Sequence, residues 1–145
     1  MTEEEKRSYI LELDEKLLKG GIILSEWTTF LAKDAEEAFC LGANLASILA
    51  AQAAIESHLR FEHYDSDEKK NSAFHELIEN SDFPEQLKND LHLLRRYRNK
   101  WVHVKDPNED LNLLEKPSLF EEEIEAMAKH AMRVMLGVFY QKQFV

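Results

Sequence analysis

Helical periodicity, with clear start and stop signals, constrains the fold of this chain more than any other feature. Thr2-Glu3-Glu4-Glu5 has the form of a capping box, and Tyr9, Leu13 and Leu17 follow at helical spacing until Gly20-Gly21 ends the pattern. The sequence carries no strand-like alternation of useful length. We therefore predict one short helix at 72–79 and four main helices at 1–20, 34–64, 84–104 and 118–140.

The helix at 34–64 is predicted to be the central one. Its middle, Leu45–Ile55, is rich in alanine, which favours helix and permits the close approach of a neighbour. The preceding stretch, 22–33, is expected to be a connector with a short helical piece near Trp27. Short connections, no internal repeat and a length of 145 residues predict a single all-α domain spanning 1–145, an up-and-down bundle or a close variant.

Composition places the chain among globular proteins, since 44% of its residues are hydrophobic and 32% are charged. The amino terminus lacks the basic start and apolar run of a signal peptide, and no apolar stretch approaches the roughly 20 residues that span a bilayer. A cytoplasmic protein without a membrane partner is therefore expected. The single cysteine, Cys40, excludes disulfide frameworks and multi-thiolate metal sites, and is expected to be a small buried hydrophobe.

The charge of the chain reverses locally. A net charge of −10 argues against nonspecific nucleic-acid binding, because affinity for phosphates needs clustered Lys and Arg. Between Lys88 and Lys105, however, there are six basic residues and one acidic residue, Asp90. This segment therefore has a charge of +5 and the rest of the chain a charge of −15. Such a segment can hold a phosphate while the remaining surface repels long polyanions.

Arg98 is predicted to face the core from the helix at 84–104. A buried guanidinium is costly unless it is paired, and Glu56, which flanks the apolar stripe of the central helix, is the candidate partner for Arg98 or for Arg95. A purely structural salt bridge between Arg98 and Glu56 would account for both residues. The predicted stripe contains Leu87, Leu91, Leu94, Arg98 and Trp101.

His103 adds a second reading of the same helix. It lies five residues after Arg98, about 140° around the helix, whereas Asn99 shares its face and can orient the imidazole. Arg98 and His103 reach one ligand only if Arg98 wraps along the helix, if the helix ends near His103, or if a symmetry mate supplies half of the site. A fixed guanidinium beside an imidazole suits phosphodiester cleavage without a metal.

The segment Leu94–His103 resembles the Arg, polar residue, three residues, His motif of the HEPN domains. The context is similar too, since a long helix with an acidic residue, here Glu56, precedes a short helix and then the motif helix. The resemblance covers roughly residue 34 to the carboxyl terminus. It implies a bundle of four to five helices, a homodimer that brings two Arg/His sets into one cleft and, in many members, metal-independent endoribonuclease activity of the toxin or defence type.

The resemblance also implies a role for each residue. Arg98 would stabilise the scissile phosphate, Asn99 would position it or the histidine, and His103 would act as general base or acid, with Glu56 and Arg95 in support. Activation of a ribose 2′-hydroxyl would yield a 2′,3′-cyclic phosphate, with no metal or cofactor. The tyrosine that some members carry two residues after the histidine is here Lys105, which puts that style of regulation in doubt. The resemblance further implies an antitoxin or regulatory protein as a partner.

Three readings of the chain follow: a dimeric RNA-cleaving HEPN protein, a catalytically silent HEPN module that binds a nucleotide, RNA or protein, and a helical scaffold in which Arg98 and Glu56 are structural. A metal site is the weaker alternative for the polar residues after the central helix, because the motifs of di-iron bundles and of zinc proteases are missing. Those residues are His58, Glu62, His63, Asp65, Asp67 and His75.

Overall fold

The computed structural model describes residues 1–63, 72–103 and 113–144, and the following statements concern that part of the chain. It confirms the predicted all-α class. None of the helices in these three ranges is both long and apolar enough to cross a membrane. The described residues form six helices: α1 (Glu3–Leu17), α2 (Glu26–Cys40), α3 (Asn44–Glu62), α4 (Phe74–Glu79), α5 (Glu85–Val102) and α6 (Pro117–Phe139).

The predicted helix at 34–64 is instead two helices joined by a tight turn. At the end of α2, Gly42 adopts a φ of +85°, its N–H donates to the carbonyl of Phe39, and the N–H of Ala43 donates to the carbonyl of Ala38. This is a Schellman motif, which ends a helix at a residue that tolerates positive φ. Helix α2 also begins earlier than expected, because Ser25 caps it by accepting from the N–H of Thr28.

We predict that Gly42→Ala lowers the free energy of unfolding by about 1–2 kcal/mol, the cost of a side chain at positive φ. The substitution meets no other atom within 4 Å, so the effect comes from the backbone alone. Gly137→Ala, within α6, is the matched control. Its new Cβ makes an ordinary contact of 3.7 Å with Leu87, and it should be neutral or stabilising by up to about 1 kcal/mol. Urea unfolding of both variants checks the prediction, and a Gly42→Ala protein as stable as the wild type would contradict it.

Helices α2 and α3 pack as an antiparallel hairpin. The Ser47 hydroxyl donates to the carbonyl of Ala35 (2.9 Å) near the turn, and the hydroxyls of Thr28 and Ser57 meet at 2.9 Å near the far end. Helix α3 also packs against α6, and these two helices carry most of the core. The largest fully buried side chains of the core are Phe39, Ile48, Ile55, Leu59, Leu77, Ile78, Leu91, Leu94, Met132, Val134, Met135 and Val138.

Helix α1 is held by its cap and by the carboxyl-terminal residues. The capping box predicted at Thr2 is present, with reciprocal bonds to Glu5. At the other end the side-chain oxygen of Gln143 accepts from the N–H groups of Lys19 and Gly20, and the Tyr140 hydroxyl donates to a carboxylate oxygen of α1 at 2.5 Å. The carboxyl terminus of the described chain therefore fixes the connection between α1 and α2.

The Tyr140 bond belongs to a partly buried acidic cluster of Asp14, Glu36 and Tyr140. Burial, followed by the charges of Asp14 and Glu37, raises the pKa of Glu36 from 4.5 to about 7. Burial and the bond to Asp14 likewise raise the pKa of the Tyr140 hydroxyl above its usual value. Glu36 therefore holds its proton more tightly in the folded protein than in the unfolded chain, and the resulting stabilisation is lost as the pH rises from 4.5 through about 7.

We predict that Glu36→Gln removes this pH dependence. At pH 8 the variant should be more stable than the wild type by on the order of 1–2 kcal/mol, a figure that allows for the partial exposure of the carboxyl group. At pH 4, where Glu36 is protonated, the two proteins should be equally stable. Urea unfolding at both pH values measures the difference. A gain of the same size at both values would show that packing, not ionisation, is responsible.

Candidate functional site

Helix α5 positions the motif, and the side that it turns toward the core is slightly rotated from the one that the sequence predicts. Leu91, Leu94 and Tyr97 are buried where α5 packs against α3 and α6, whereas Arg98 is only half-buried. The prediction of a core-facing Arg98 is therefore wrong. Tyr97 takes the inner position, which leaves the guanidinium of Arg98 at the edge of the packed surface, within reach of solvent.

The expected pair between Glu56 and Arg98 or Arg95 is likewise not formed, although all three residues are among those described. Glu56 pairs instead with Arg60, one turn along α3, at 2.8 Å. The physical reason is the exposure of Arg98: a guanidinium at the edge of the core keeps its hydration and needs no buried carboxylate. The account in which Arg98 is a structural ion-pair partner of Glu56 thereby loses its basis.

Asn99 links the two motif residues at the end of α5. Its side-chain oxygen accepts from Nη1 of Arg98 at 3.2 Å, and its main-chain carbonyl accepts from the N–H of His103 at 2.8 Å. The helix ends at Val102, and His103 caps it with φ −114° and ψ 76°, its side chain exposed. Three arrangements would let Arg98 and His103 share a ligand. The structure has one of them, because the helix ends beside His103.

The carboxyl-terminal half of α5 is a basic surface. Arg96 and Lys100 are exposed there, and the ammonium group of Lys100 lies 5.7 Å from the centre of the Tyr97 ring. Asp90, the acid within this segment, is directed away: its carboxylate accepts from Arg133 of α6 at 3.3 Å and from Gln86 at 3.1 Å. The positive charge near His103 is therefore not offset by Asp90.

His92 is a residue of this helix that the sequence analysis did not single out. Its Nε2 meets a carboxylate oxygen of Glu79 from α4 at 2.5 Å, and its Nδ1 accepts from Nε of Arg95 at 3.4 Å. Nδ1 thus faces the Arg95 guanidinium, and Nε2 faces the Glu79 carboxylate. The arrangement holds Arg95 along the outer side of α5. Helical spacing alone would have placed His92 on the same face of the helix as Asn99 and His103, but it does not encode the contact with Glu79.

The inner side of the motif is aromatic. The rings of Tyr97 and Trp101 lie 6.5 Å apart, and the Tyr97 hydroxyl and the Trp101 Nε1 are buried with no hydrogen-bond partner found for them among the described residues. Burial raises the pKa of the Tyr97 hydroxyl above its ordinary value of 10. Tyr97 therefore stays protonated at neutral pH and is not a candidate base.

The residues considered for a metal site do not assemble in the described ranges. No group of three or more His, Cys, Asp or Glu among residues 1–63, 72–103 and 113–144 is placed to hold an ion. His58 is buried, pairs with Glu62 at 2.5 Å and stands edge-on to the Phe139 ring, while His75 is exposed. Asp65, Asp67 and, near the motif, Lys105 lie outside the described residues.

Cys40 is buried in the core, as expected, and burial raises the pKa of its thiol. It takes no part in the surface around His103. Comparison of the chain with models of protein families, with curated proteins and with solved structures finds no match.

Proposed function

We propose that this protein is a metal-independent endoribonuclease of the HEPN type, with Arg98, Asn99 and His103 as its reactive centre. The observation that carries the proposal is the exposed end of α5, where Asn99 bonds to the Arg98 guanidinium through its side chain and to the His103 backbone through its carbonyl. A permanent cation and a titratable imidazole thus lie at one accessible helix end, within a segment of +5 charge.

The chemistry follows from these groups. His103 removes the proton of a ribose 2′-hydroxyl, and the 2′-oxygen attacks the adjacent phosphorus. Arg98 stabilises the added negative charge on the phosphoryl oxygens as the new P–O bond forms. The bond to the 5′-oxygen then breaks, and the leaving oxygen takes a proton from water or from a second imidazolium. The products are a 2′,3′-cyclic phosphate and a 5′-hydroxyl, with no oxidation or reduction.

The resemblance to the HEPN domains adds the expectation of a composite site. In a homodimer with its two-fold axis near α5, two sets of Arg98 and His103 would share one cleft, and the second imidazole would serve as the acid. The helix end at Val102 offers the alternative of a site within one subunit. Both arrangements use the same residues for the same steps.

The second candidate is a catalytically silent module of the same type that binds RNA, a nucleotide or a protein such as an antitoxin. The acidity of the remaining chain favours it, because a net charge of −15 outside the 88–105 segment opposes the capture of long RNA. The two candidates differ in turnover: the silent module binds at the same helix end and leaves the RNA intact.

The experiment that tests the proposal examines the nucleophile. An RNA oligonucleotide that contains a cleavage site mapped in total RNA is compared with the same oligonucleotide carrying a single 2′-deoxynucleotide at that site. We expect cleavage of the first to a 2′,3′-cyclic phosphate and no cleavage of the second at that position. Cleavage of both, or products with a 3′-hydroxyl, would contradict the mechanism. Binding of total RNA with no cleavage at any site would favour the silent module.

A further inference from the structure

The outer side of α2 carries two aromatic residues that are among the most exposed apolar side chains of the described chain. Trp27 is 75% exposed and Phe30 69% exposed, although both belong to a regular helix whose opposite side is buried against the core. Together with Glu26 and Leu31 they line a shallow surface depression. Contiguous exposed aromatic surface of this kind is unusual in a monomer and typical of an interface.

The charges around this surface are arranged so that it complements itself. Helical spacing places Phe30 at the centre of the outer side of α2, with Glu26 and Lys33 together on one flank, about one turn before and one turn after it. If two copies of α2 pack antiparallel about a two-fold axis at Phe30, the same flanks meet with their direction reversed. Each Glu26 then faces the Lys33 of the other copy, twice per interface.

The second flank is complementary as well. Trp27 and Asp34 lie on it, again about one turn before and one turn after Phe30. The same two-fold axis brings each indole N–H toward the Asp34 carboxylate of the other copy, a donor opposite an acceptor. A different protein would have to carry groups complementary to both flanks of α2, whereas a second copy of the chain supplies them by symmetry.

We propose that α2 is a homodimer interface in which the outer side of the helix packs against its own copy around Phe30. The four aromatic rings of such a dimer would bury about 500–600 Å², roughly half of the 1,200 Å² found in the smallest stable interfaces, and the flanking side chains supply the remainder. Interfaces at the low end of the size range are typically weak and transient, and we therefore expect a dissociation constant of order 1–100 µM.

This interface is separate from the motif helix. Helix α2 packs against α1, α3 and α6, whereas α5 packs against α3, α4 and α6. The inference therefore does not rest on RNA cleavage. If a two-fold axis near α5 also exists, as the HEPN resemblance implies, the α2 interface joins such dimers through their two α2 surfaces, and a closed tetramer results where the two axes are perpendicular and intersect.

The first test measures mass in solution. Sedimentation equilibrium from about 1 to 200 µM should show that the wild type associates. Phe30→Glu should weaken this association at least about 100-fold, because it places two carboxylates at the centre of the contact. The mass that the variant reaches at high concentration should therefore be half that of the wild type. Leu11→Glu, an equally exposed leucine on α1 (62%), is the control and should associate like the wild type. A wild-type monomer at 200 µM, or an unchanged mass for Phe30→Glu, would overturn the proposal.

The second test uses the paired charges and does not depend on an apolar substitution. Glu26→Lys and Lys33→Glu should each weaken association by about 10-fold, because each sets like charges against one another, and the double exchange should restore it. Circular dichroism confirms that the variants are folded. Failure of the double variant to recover would exclude the antiparallel α2 pairing. Loss of association in Leu11→Glu as well would place the interface elsewhere and likewise overturn it.

Discussion

We expect that replacing His103 by alanine lowers the rate of the proposed RNA cleavage by at least about 100-fold, which is the smallest loss expected when a reaction loses its general base. The fold should survive, because the His103 side chain is exposed and its contribution to the helix end, the N–H bond to Asn99, comes from the backbone. The measurement is the initial rate on a single oligonucleotide, with circular dichroism to compare the folded proteins.

A second histidine variant distinguishes the loss of the His103 imidazole from the loss of any exposed histidine. His75 is also exposed, on α4 beside Glu76, and has no part in the proposed site. His75→Ala should therefore cleave at the wild-type rate. A His103→Ala protein that keeps more than about a tenth of the activity would remove the imidazole from the mechanism or reveal a contaminating nuclease. Equal losses in both variants would indicate a general effect of losing a surface histidine.

Replacing Arg98 by alanine should also reduce cleavage by at least about 100-fold, because in the proposed mechanism the guanidinium stabilises the charge that develops on the phosphate. The structure adds a second expectation. Since Arg98 is half-buried and bonds to its neighbour Asn99 rather than to a buried carboxylate, its removal should change the free energy of unfolding by less than about 1 kcal/mol. The cleavage rate should therefore depend on Arg98, whereas the stability of the fold should depend on the buried residues of the same helix.

Leu94→Ala is the control that shows how much stability is lost when a buried residue of α5 is truncated. Leu94 is fully buried in α5, and its truncation should cost about 2–5 kcal/mol of stability. An Arg98→Ala protein destabilised as strongly as Leu94→Ala would restore the structural role for Arg98. Unchanged cleavage in a stable Arg98→Ala protein would contradict its role in the reaction.

The helices themselves were predictable where the chain carries explicit end signals. The capping box at Thr2 and the proline at the start of α6 predicted their helices closely, and Pro84 predicted the start of α5. The single long central helix was wrong because its break depends on one glycine, Gly42, between two strong helix-forming stretches. A glycine that ends a helix and a glycine inside one, such as Gly137, look alike in the sequence, and the φ angle distinguishes them.

The candidate site was predictable as a set of residues but not as a set of contacts. Periodicity placed Arg98 on the inner stripe, yet a small rotation of α5 puts Tyr97 there instead, and a regular spacing of 100° per residue does not resolve such a rotation. Glu56 was assigned to the wrong arginine because Arg60, four residues later on the same helix, is a nearer partner. The contact of His92 with Glu79 depends on how α4 packs on α5, which no local pattern encodes.

The central claim is that the end of α5 cleaves RNA without a metal, and it is tested most directly by comparing two proteins under two conditions. Purified wild-type protein and the Arg98→Ala/His103→Ala double variant are incubated with total RNA, each in EDTA and in Mg²⁺. We predict that the wild type cleaves at similar rates in both conditions and that the double variant is inactive in both. Wild-type cleavage that requires the divalent ion, or cleavage by the double variant that matches the wild type, would contradict the claim.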